Sequence, residues 1–347
     1  MYSLKVTHII PEVNDNLIFL LENVDRQKIP FKAGQFITLL FQFNGKEVRR
    51  SYSLVNSPYL DEPITIAVKA VENGLISQHL HHKIAVEDIV QCNTPQGQCI
   101  YVPELEKGKT IFLFAAGIGI TPLFSIMKTA LTQDPSAKVY LIYSNSSIEK
   151  TPFLADLKDW ESKYHDQLTI IWIFSSSKNL SKAHLNRDYL LDIIASYAPK
   201  NKDDAIFYTC GPIIYMDLCK FVLLGAGYDS ASIRKETFLL PEDEMDEDDT
   251  TEKVIDKNTY NIELRFEGKI YHLDIPYDHS ILDVALKNKI ALPYSCRSGM
   301  CSTCVSNCIS GNVRMDYNEI LTEDEIVNGR ILICTGHPTQ DKTIIEV

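Results

Sequence analysis

The sequence lacks the marks of several large classes of protein. Residues 1–20 show no basic start followed by a long apolar run, so no secretory signal is expected. No cluster of Lys and Arg is interleaved with aromatics, and the net charge is −12, which argues against a nucleic-acid partner. One uncharged stretch, Thr110 to Met127, is long enough to suggest a membrane span. Gly117, Gly119 and Pro122 interrupt it, so a buried strand, a turn and a helix are expected there instead. Internal repeats are absent.

What is present points to a multidomain globular chain. There are 347 residues, 45% hydrophobic and 23% charged, more than one ordinary core accommodates. Seven acidic residues crowd the run Glu242 to Asp249. The surrounding PEDEMDEDDTTEK has too little apolar content to pack, so a mobile linker is expected over residues 241–257. Of nine cysteines, four lie between Cys296 and Cys308. An odd number, clustered in a chain without an expected signal, suggests metal or redox chemistry and a reducing cytoplasm.

Residues 1–102 carry β-branched and aromatic runs (NLIFLLENV, QFITLLFQF, PITIAVKA) and one short helix candidate, Leu75–Lys83. These predict an antiparallel barrel. Over residues 103–240, strand-like TIFLFAAG, KVYLIYSN, LTIIWIFS and DAIFYTCG alternate with helical stretches. That alternation predicts a doubly wound parallel sheet. Residues 258–347 form a third unit. YNIELRFE and KIYHLDI flank a glycine and predict a hairpin, HSILDVALKNKI reads as a helix, and Thr322 with Glu325 reads as a capping box.

Cys296, Cys301 and Cys304 have the spacing C-x4-C-x2-C, with Cys334 following after a gap of 29 residues. Four thiolates satisfy two irons, and this spacing is that of plant-type [2Fe–2S] sites. Zinc prefers paired C-x2-C knuckles. Gly299 and the small Ser298, Ser302 and Thr303 would let backbone N–H groups approach the cluster sulfurs. The string PYSCRSGMCSTC, with LTEDEIVNGRILIC ending at Cys334, resembles the plant-type ferredoxin domain. A potential on the order of −400 mV is expected for such a site. Cys308, Cys92, Cys99 and Cys219 are expected to be buried thiols and not ligands.

AAGIGITP, Ala115–Pro122, follows an apolar strand and opens a helix. Gly117 and Gly119 would admit a pyrophosphate, and the helix start at Thr121 and Pro122 would present its N–H groups to that anion. Cys210, Gly211 and Pro212 end another strand, so both motifs should face one crevice. Together they resemble the ferredoxin-NADP reductase superfamily. Arg50-Ser51-Tyr52-Ser53 matches that superfamily's flavin motif R-x-Y-S. The resemblance implies that Arg50 pairs with flavin phosphate, Tyr52 packs on the isoalloxazine and Ser53 approaches N5. Ala67–Leu80 resembles its second flavin segment, which makes Val68, Lys69, Gly74 and Ser77 candidate flavin contacts. His79, His81 and His82 are expected on a solvated helix face. Glu236, followed by Phe238, matches an acid near the flavin–nicotinamide contact. The resemblance thus implies Ser53, Cys210 and Glu236 as catalytic residues.

The module order flavin, nicotinamide, ferredoxin resembles the reductase components of bacterial oxygenases, including those of phenylacetyl-CoA epoxidases and steroid hydroxylases, and hybrid-cluster-protein reductases. It implies an NAD(P)H oxidoreductase with FAD and a [2Fe–2S] cluster, serving an oxygenase or another one-electron acceptor protein. Two alternatives are an FMN enzyme of the phthalate dioxygenase reductase kind and a passive electron carrier or redox sensor. The second would need no nicotinamide crevice.

Overall fold

The computed structural model describes residues 1–43, 45–71, 74–238, 258–299, 301–318 and 320–347, without the side chains of residues 46, 323 and 324. The acidic run expected to form a linker lies outside the described residues. One unit ends at Phe238; the other is described from Asn258.

The first unit opens with strands β1 (Tyr2–Glu12), β2 (Asn16–Asn23), β3 (Phe36–Phe43), β4 (Lys46–Ser53), β5 (Ile64–Lys69) and β6 (Ile89–Cys92), with helix α1 (Leu75–His82) between the last two. They form one antiparallel sheet in the order β4-β3-β6-β1-β2-β5. Its two outer strands are joined by a bridge between Leu54, just past β4, and Ile66 of β5, which closes the sheet into the expected barrel. Leu4, Phe19, Ile37, Leu39, Ile66 and Val68 point into its core.

Helix α2 (Pro103–Glu106) then leads into the sequence β7 (Thr110–Ala116), α3 (Ile120–Gln133), β8 (Lys138–Asn145), α4 (Leu154–Lys163), β9 (Leu168–Phe174), α5 (Leu180–Ala183), α6 (Arg187–Tyr197), β10 (Ala205–Cys210), α7 (Ile213–Gly225) and β11 (Ile233–Glu236). The five strands are parallel in the order β11-β10-β7-β8-β9. One face packs on α3 and α4 and the other on α6 and α7, so β7 and β10 are buried on both sides and read as apolar runs. Thr110–Met127 is therefore a strand, a turn and a helix. Among the described residues no helix is long and apolar enough to cross a membrane.

This sheet and the barrel share a core, in which Ile18, Ala33, Val55, Ala67, Cys99 and Tyr101 meet residues of β7 and α3. Polar bonds fix the contact. Ser125 Oγ donates to the Asn56 carbonyl at 2.7 Å, the Ser57 and Thr129 hydroxyls are 2.8 Å apart, and Lys128 pairs with Glu62 at 3.0 Å.

In the second unit, β12 (Thr259–Phe266) and β13 (Lys269–Pro276) form the expected hairpin, with Glu267 and Gly268 both at positive φ in its two-residue turn. Helix α8 (Ile281–Lys287) follows, then β14 (Val305–Ser310), β15 (Val313–Met315), α9 (Glu323–Val327), β16 (Arg330–Leu332), β17 (Gly336–Pro338) and β18 (Thr343–Glu346). The main sheet runs β13-β12-β18-β14-β16, with β18 parallel to β12. A mixed sheet over one helix, with the last strand inserted centrally, is a β-grasp arrangement. The expected capping box forms: Glu325 N donates to Thr322 Oγ1 at 3.3 Å, and Thr322 N donates to Glu325 Oε2 at 2.9 Å.

Candidate functional sites

The strand order places a switch point between β7 and β10, whose carboxyl ends form a crevice. β7 ends at Ala115–Ala116 and runs into Gly117–Gly119; β10 ends at Cys210 and runs into Gly211 and Pro212. The two turns are packed together. A Cβ on Gly119 would lie 2.3 Å from the Cys210 carbonyl oxygen and 2.9 Å from Gly211 N, so only glycine fits. Gly117 has φ +54, and a Cβ there would meet open space, which leaves room above the turn for a ligand. The turn is pinned from below by Tyr143, whose hydroxyl lies 3.0 Å from the Gly117 carbonyl. Tyr215, in the first turn of α7, donates to the Ala115 carbonyl at 3.2 Å. Thr121 and Pro122 are buried in the first turn of α3, and the Thr121 hydroxyl bonds the Ile118 carbonyl. Its role is local, whereas the helix start remains directed at the crevice.

Glu236 ends β11 and is the register partner of Cys210. Both are buried. Burial pushes the Glu236 carboxyl up to about 8, and burial with the neighbouring Glu236 raises the Cys210 thiol. The hydroxyl of Thr237, next to Glu236 in sequence, is buried without a partner, whereas that of Thr209 turns to the other face of the sheet and bonds Cys219 of α7. Sequence reading missed Thr237, because a threonine at a strand end carries no signal of its own.

In the barrel, β4 carries Arg50, Tyr52 and Ser53. Arg50 is half-buried, and one of its Nη atoms donates to the Arg49 carbonyl. Tyr52 packs against the barrel core, and burial raises its phenol. Ser53 is 3% exposed and its hydroxyl has no partner, as expected of a group awaiting a ligand atom. Val68 points into the core, so only its backbone could meet a cofactor, and its carbonyl already bonds His81 Nε2 at 3.1 Å. Lys69 is exposed. Gly74 caps α1, and Ser77 Oγ donates back to the Gly74 carbonyl and accepts from Val71 N. The three histidines are not one solvated face. His79 packs edge-on against Phe41 and Phe43, and only His82 is exposed. α1 buries the stripe Ile76, Ser77 and Leu80, and His79, three residues from Ile76, lies along the edge of that stripe.

In the second unit the four motif cysteines come together. Cys296 Sγ is in hydrogen-bond contact with Cys301 and with Cys334, and Cys334 Sγ lies 3.1 Å from Cys304 Sγ. Gly299 has φ +75, and a Cβ there would fall 2.5 Å from the Tyr317 carbonyl oxygen, so the loop closes only with glycine. Among the described residues no three His, Cys, Asp or Glu side chains are placed around one ion. A binuclear site needs two thiolates per iron, and a donor set of four thiols fits it. The Ser298 side chain bonds the Cys296 thiol, and the buried hydroxyl of Ser302 lacks a partner, as a group facing inorganic sulfide would. Shared bonds lower the Cys296 thiol, while those same bonds, and then burial, raise Cys301 and Cys334. Cys92, Cys99 and Cys219 are buried thiols, as expected. Cys308, on the interior strand β14, is half-buried against the core, and its Sγ meets the Ser310 carbonyl at 3.5 Å.

Comparison with known proteins matches all three regions. Residues 3–101 fit the oxidoreductase FAD-binding domain, 113–220 the oxidoreductase NAD-binding domain, and 264–339 the 2Fe-2S iron-sulfur cluster binding domain. The chain is 31% identical to a component of the 1,2-phenylacetyl-CoA epoxidase of Escherichia coli strain K12, over 99% of this chain and 97% of the relative. It is 30% identical to the ferredoxin reductase component of the 3-ketosteroid-9-alpha-monooxygenase of Rhodococcus rhodochrous, over 99% and 96%. Among solved structures, phthalate dioxygenase reductase has the same fold, with TM-score 0.61 and 24% identity over 99% of this chain and 97% of that one.

Proposed function

Because this chain belongs to the ferredoxin-NADP reductase superfamily, in the branch with a C-terminal [2Fe–2S] ferredoxin domain, we propose the following division of labour among its residues. Residues 1–102 hold FAD, 103–240 hold the nicotinamide cofactor, 258–347 hold the cluster, and 241–257 link them. When bound, the nicotinamide supplies a hydride, the flavin takes up its two electrons and the cluster releases them singly.

Arg50 takes flavin phosphate, a role suited to a guanidinium fork. Tyr52 offers an aromatic face to the ring, and Ser53 offers its free hydroxyl to N5. The backbone of Val68, Lys69, Gly74 and Ser77 completes the flavin pocket. Gly117, Gly119, Thr121 and Pro122 seat the pyrophosphate at the start of α3. Cys210, Gly211 and Pro212 form the other wall, against the nicotinamide. Glu236, neutral below about pH 8, lines this contact without adding charge to it. Cys296, Cys301, Cys304 and Cys334 ligate the irons.

The acceptor is an oxygenase component in the cytoplasm, of the phenylacetyl-CoA epoxidase kind. The relation to the Escherichia coli epoxidase component over the full length of both chains favours this acceptor. The observation that carries the reading is the packing of Gly119 against Cys210, which brings both nucleotide motifs and Glu236 to one crevice. Anaerobic addition of NADH to the purified protein tests it. Bleaching of the flavin absorbance is expected, and an unchanged spectrum with both NADH and NADPH would overturn it. Pull-down with the reduced protein identifies the acceptor.

A further inference from the structure

Arg234 lies on β11 opposite Tyr208 of β10, one pleat repeat before the pair Glu236 and Cys210. Side chains two residues apart share a face of a sheet, about 6.6 Å apart along the strand. Arg234 and Glu236 therefore point the same way, as do Tyr208 and Cys210. That face is turned to the segment joining the barrel to the parallel sheet. There Arg234 Nη1 pairs with Glu106 at 2.5 Å, donates to the Ile100 carbonyl and donates to the Tyr208 hydroxyl at 2.9 Å. The Tyr208 hydroxyl in turn has Glu106 Oε2 at 3.0 Å and the Ile100 carbonyl at 3.1 Å as acceptors for its one hydrogen. Val102 N donates to the same Glu106 oxygen at 3.2 Å.

Glu106 is 3% exposed and Tyr208 is fully buried. A buried carboxylate is stable only with its partners in place, so Glu106 holds Arg234 and Tyr208 to it. It joins three pieces of chain: the barrel's exit (Ile100, Val102), the short helix α2 and the last two strands of the parallel sheet. On the far side of the crevice, α3 is tied to the barrel separately, through Asn56, Ser57 and Glu62. Among the described residues no such bond holds the Glu236 carboxyl, and burial alone perturbs it.

The geometry points to Arg234 as a positioning residue: held by Glu106, Tyr208 and the Ile100 carbonyl, it fixes the end of β11, and so Glu236, relative to the flavin barrel. This rests on the reading that the crevice takes the nicotinamide. Arg234 touches neither Glu236 nor the crevice turns; it acts through the strand. Hydride transfer depends steeply on donor–acceptor geometry, so loosening the clamp should slow the transfer step without weakening nucleotide binding.

The test uses the full-length holoprotein with Arg234→Met, Glu106→Gln and the milder Tyr208→Phe. Hydrogen–deuterium exchange is read on the peptides covering 99–106 and 233–238. Stopped-flow flavin reduction is read across a range of NADH concentrations. Faster exchange in both peptides, with unchanged exchange in β7 and β8, is expected. So is a limiting reduction rate lower by about 10-fold or more, with nucleotide Kd within about twofold of wild type. Tyr208→Phe should fall between wild type and Arg234→Met; it decides the matter if the ion-pair variants do not fold. Wild-type exchange and wild-type limiting rate in Tyr208→Phe and Arg234→Met would overturn the inference. So would a loss expressed only in Kd, which would place Arg234 on the nucleotide itself. If wild type is not reduced by either nucleotide, the functional reading falls, and the exchange pattern still decides the clamp.

Discussion

Cys210 and Glu236 are lateral partners on two parallel strands, both buried, at the end of the sheet where Gly119 closes against the Cys210 carbonyl. A carboxyl in that position is protonated where most carboxyls are charged, and its pH response follows from this.

Glu236 has its proton up to about pH 8 in the folded protein, against an ordinary 4.5 in the unfolded chain. The sign is therefore that of a raised carboxyl. Its environment is fully tolerated below about pH 4.5, and stability is lost as pH rises through 8. Glu236→Gln removes that dependence. Thermal melting should show the two proteins within about 2 °C of each other at pH 5, and the variant higher by roughly 5 °C or more at pH 9. Equal melting temperatures at pH 9 would mean that the fold does not raise the Glu236 carboxyl above its ordinary range.

Arg50→Ala and Tyr52→Ala should purify with substoichiometric flavin and a full complement of iron, since both residues lie in the barrel and all four motif cysteines lie in the other unit. Flavin and iron assays on the same preparation check this. Full flavin in both variants would remove β4 from the flavin site.

Cys308→Ser should retain roughly two irons and two sulfides per chain, whereas Cys304→Ser should not. Cys308 meets the Ser310 carbonyl and not the other thiols. Iron loss in the Cys308 variant would break the ligand assignment.

NADH should be preferred over NADPH. β8 ends at Asn145 and is followed by Ser146, with no arginine to pair with a 2′-phosphate. A higher kcat/KM with NADPH would contradict this.

Much of this was legible in the sequence because the signals are local. The β12–β13 hairpin was marked by its glycine, the Thr322–Glu325 box by its spacing, and the cysteine loop by gaps that only one kind of site uses. AAGIGITP and CGP were legible as turns, and their joint crevice followed from strand order. What was not legible depends on long-range contact. Glu106 and Arg234 are far apart in sequence, and neither residue looks unusual alone. The closure of the barrel by Leu54 and Ile66, the packing of His79 on Phe41 and Phe43, and the half-exposure of Cys308 all depend on which segments distant in sequence come together. No window of local sequence encodes that.

The central claim is a linear path in which flavin is reduced first and the cluster serves as the one-electron outlet. Cys301→Ala tests it most directly, through steady-state NADH oxidation with two acceptors and a flavin spectrum on the same sample. Ferricyanide reduction should persist near the wild-type rate, because hydride transfer needs only the first unit. Cytochrome c reduction should fall by about 10-fold or more. Loss of both activities while flavin stays bound would contradict the path.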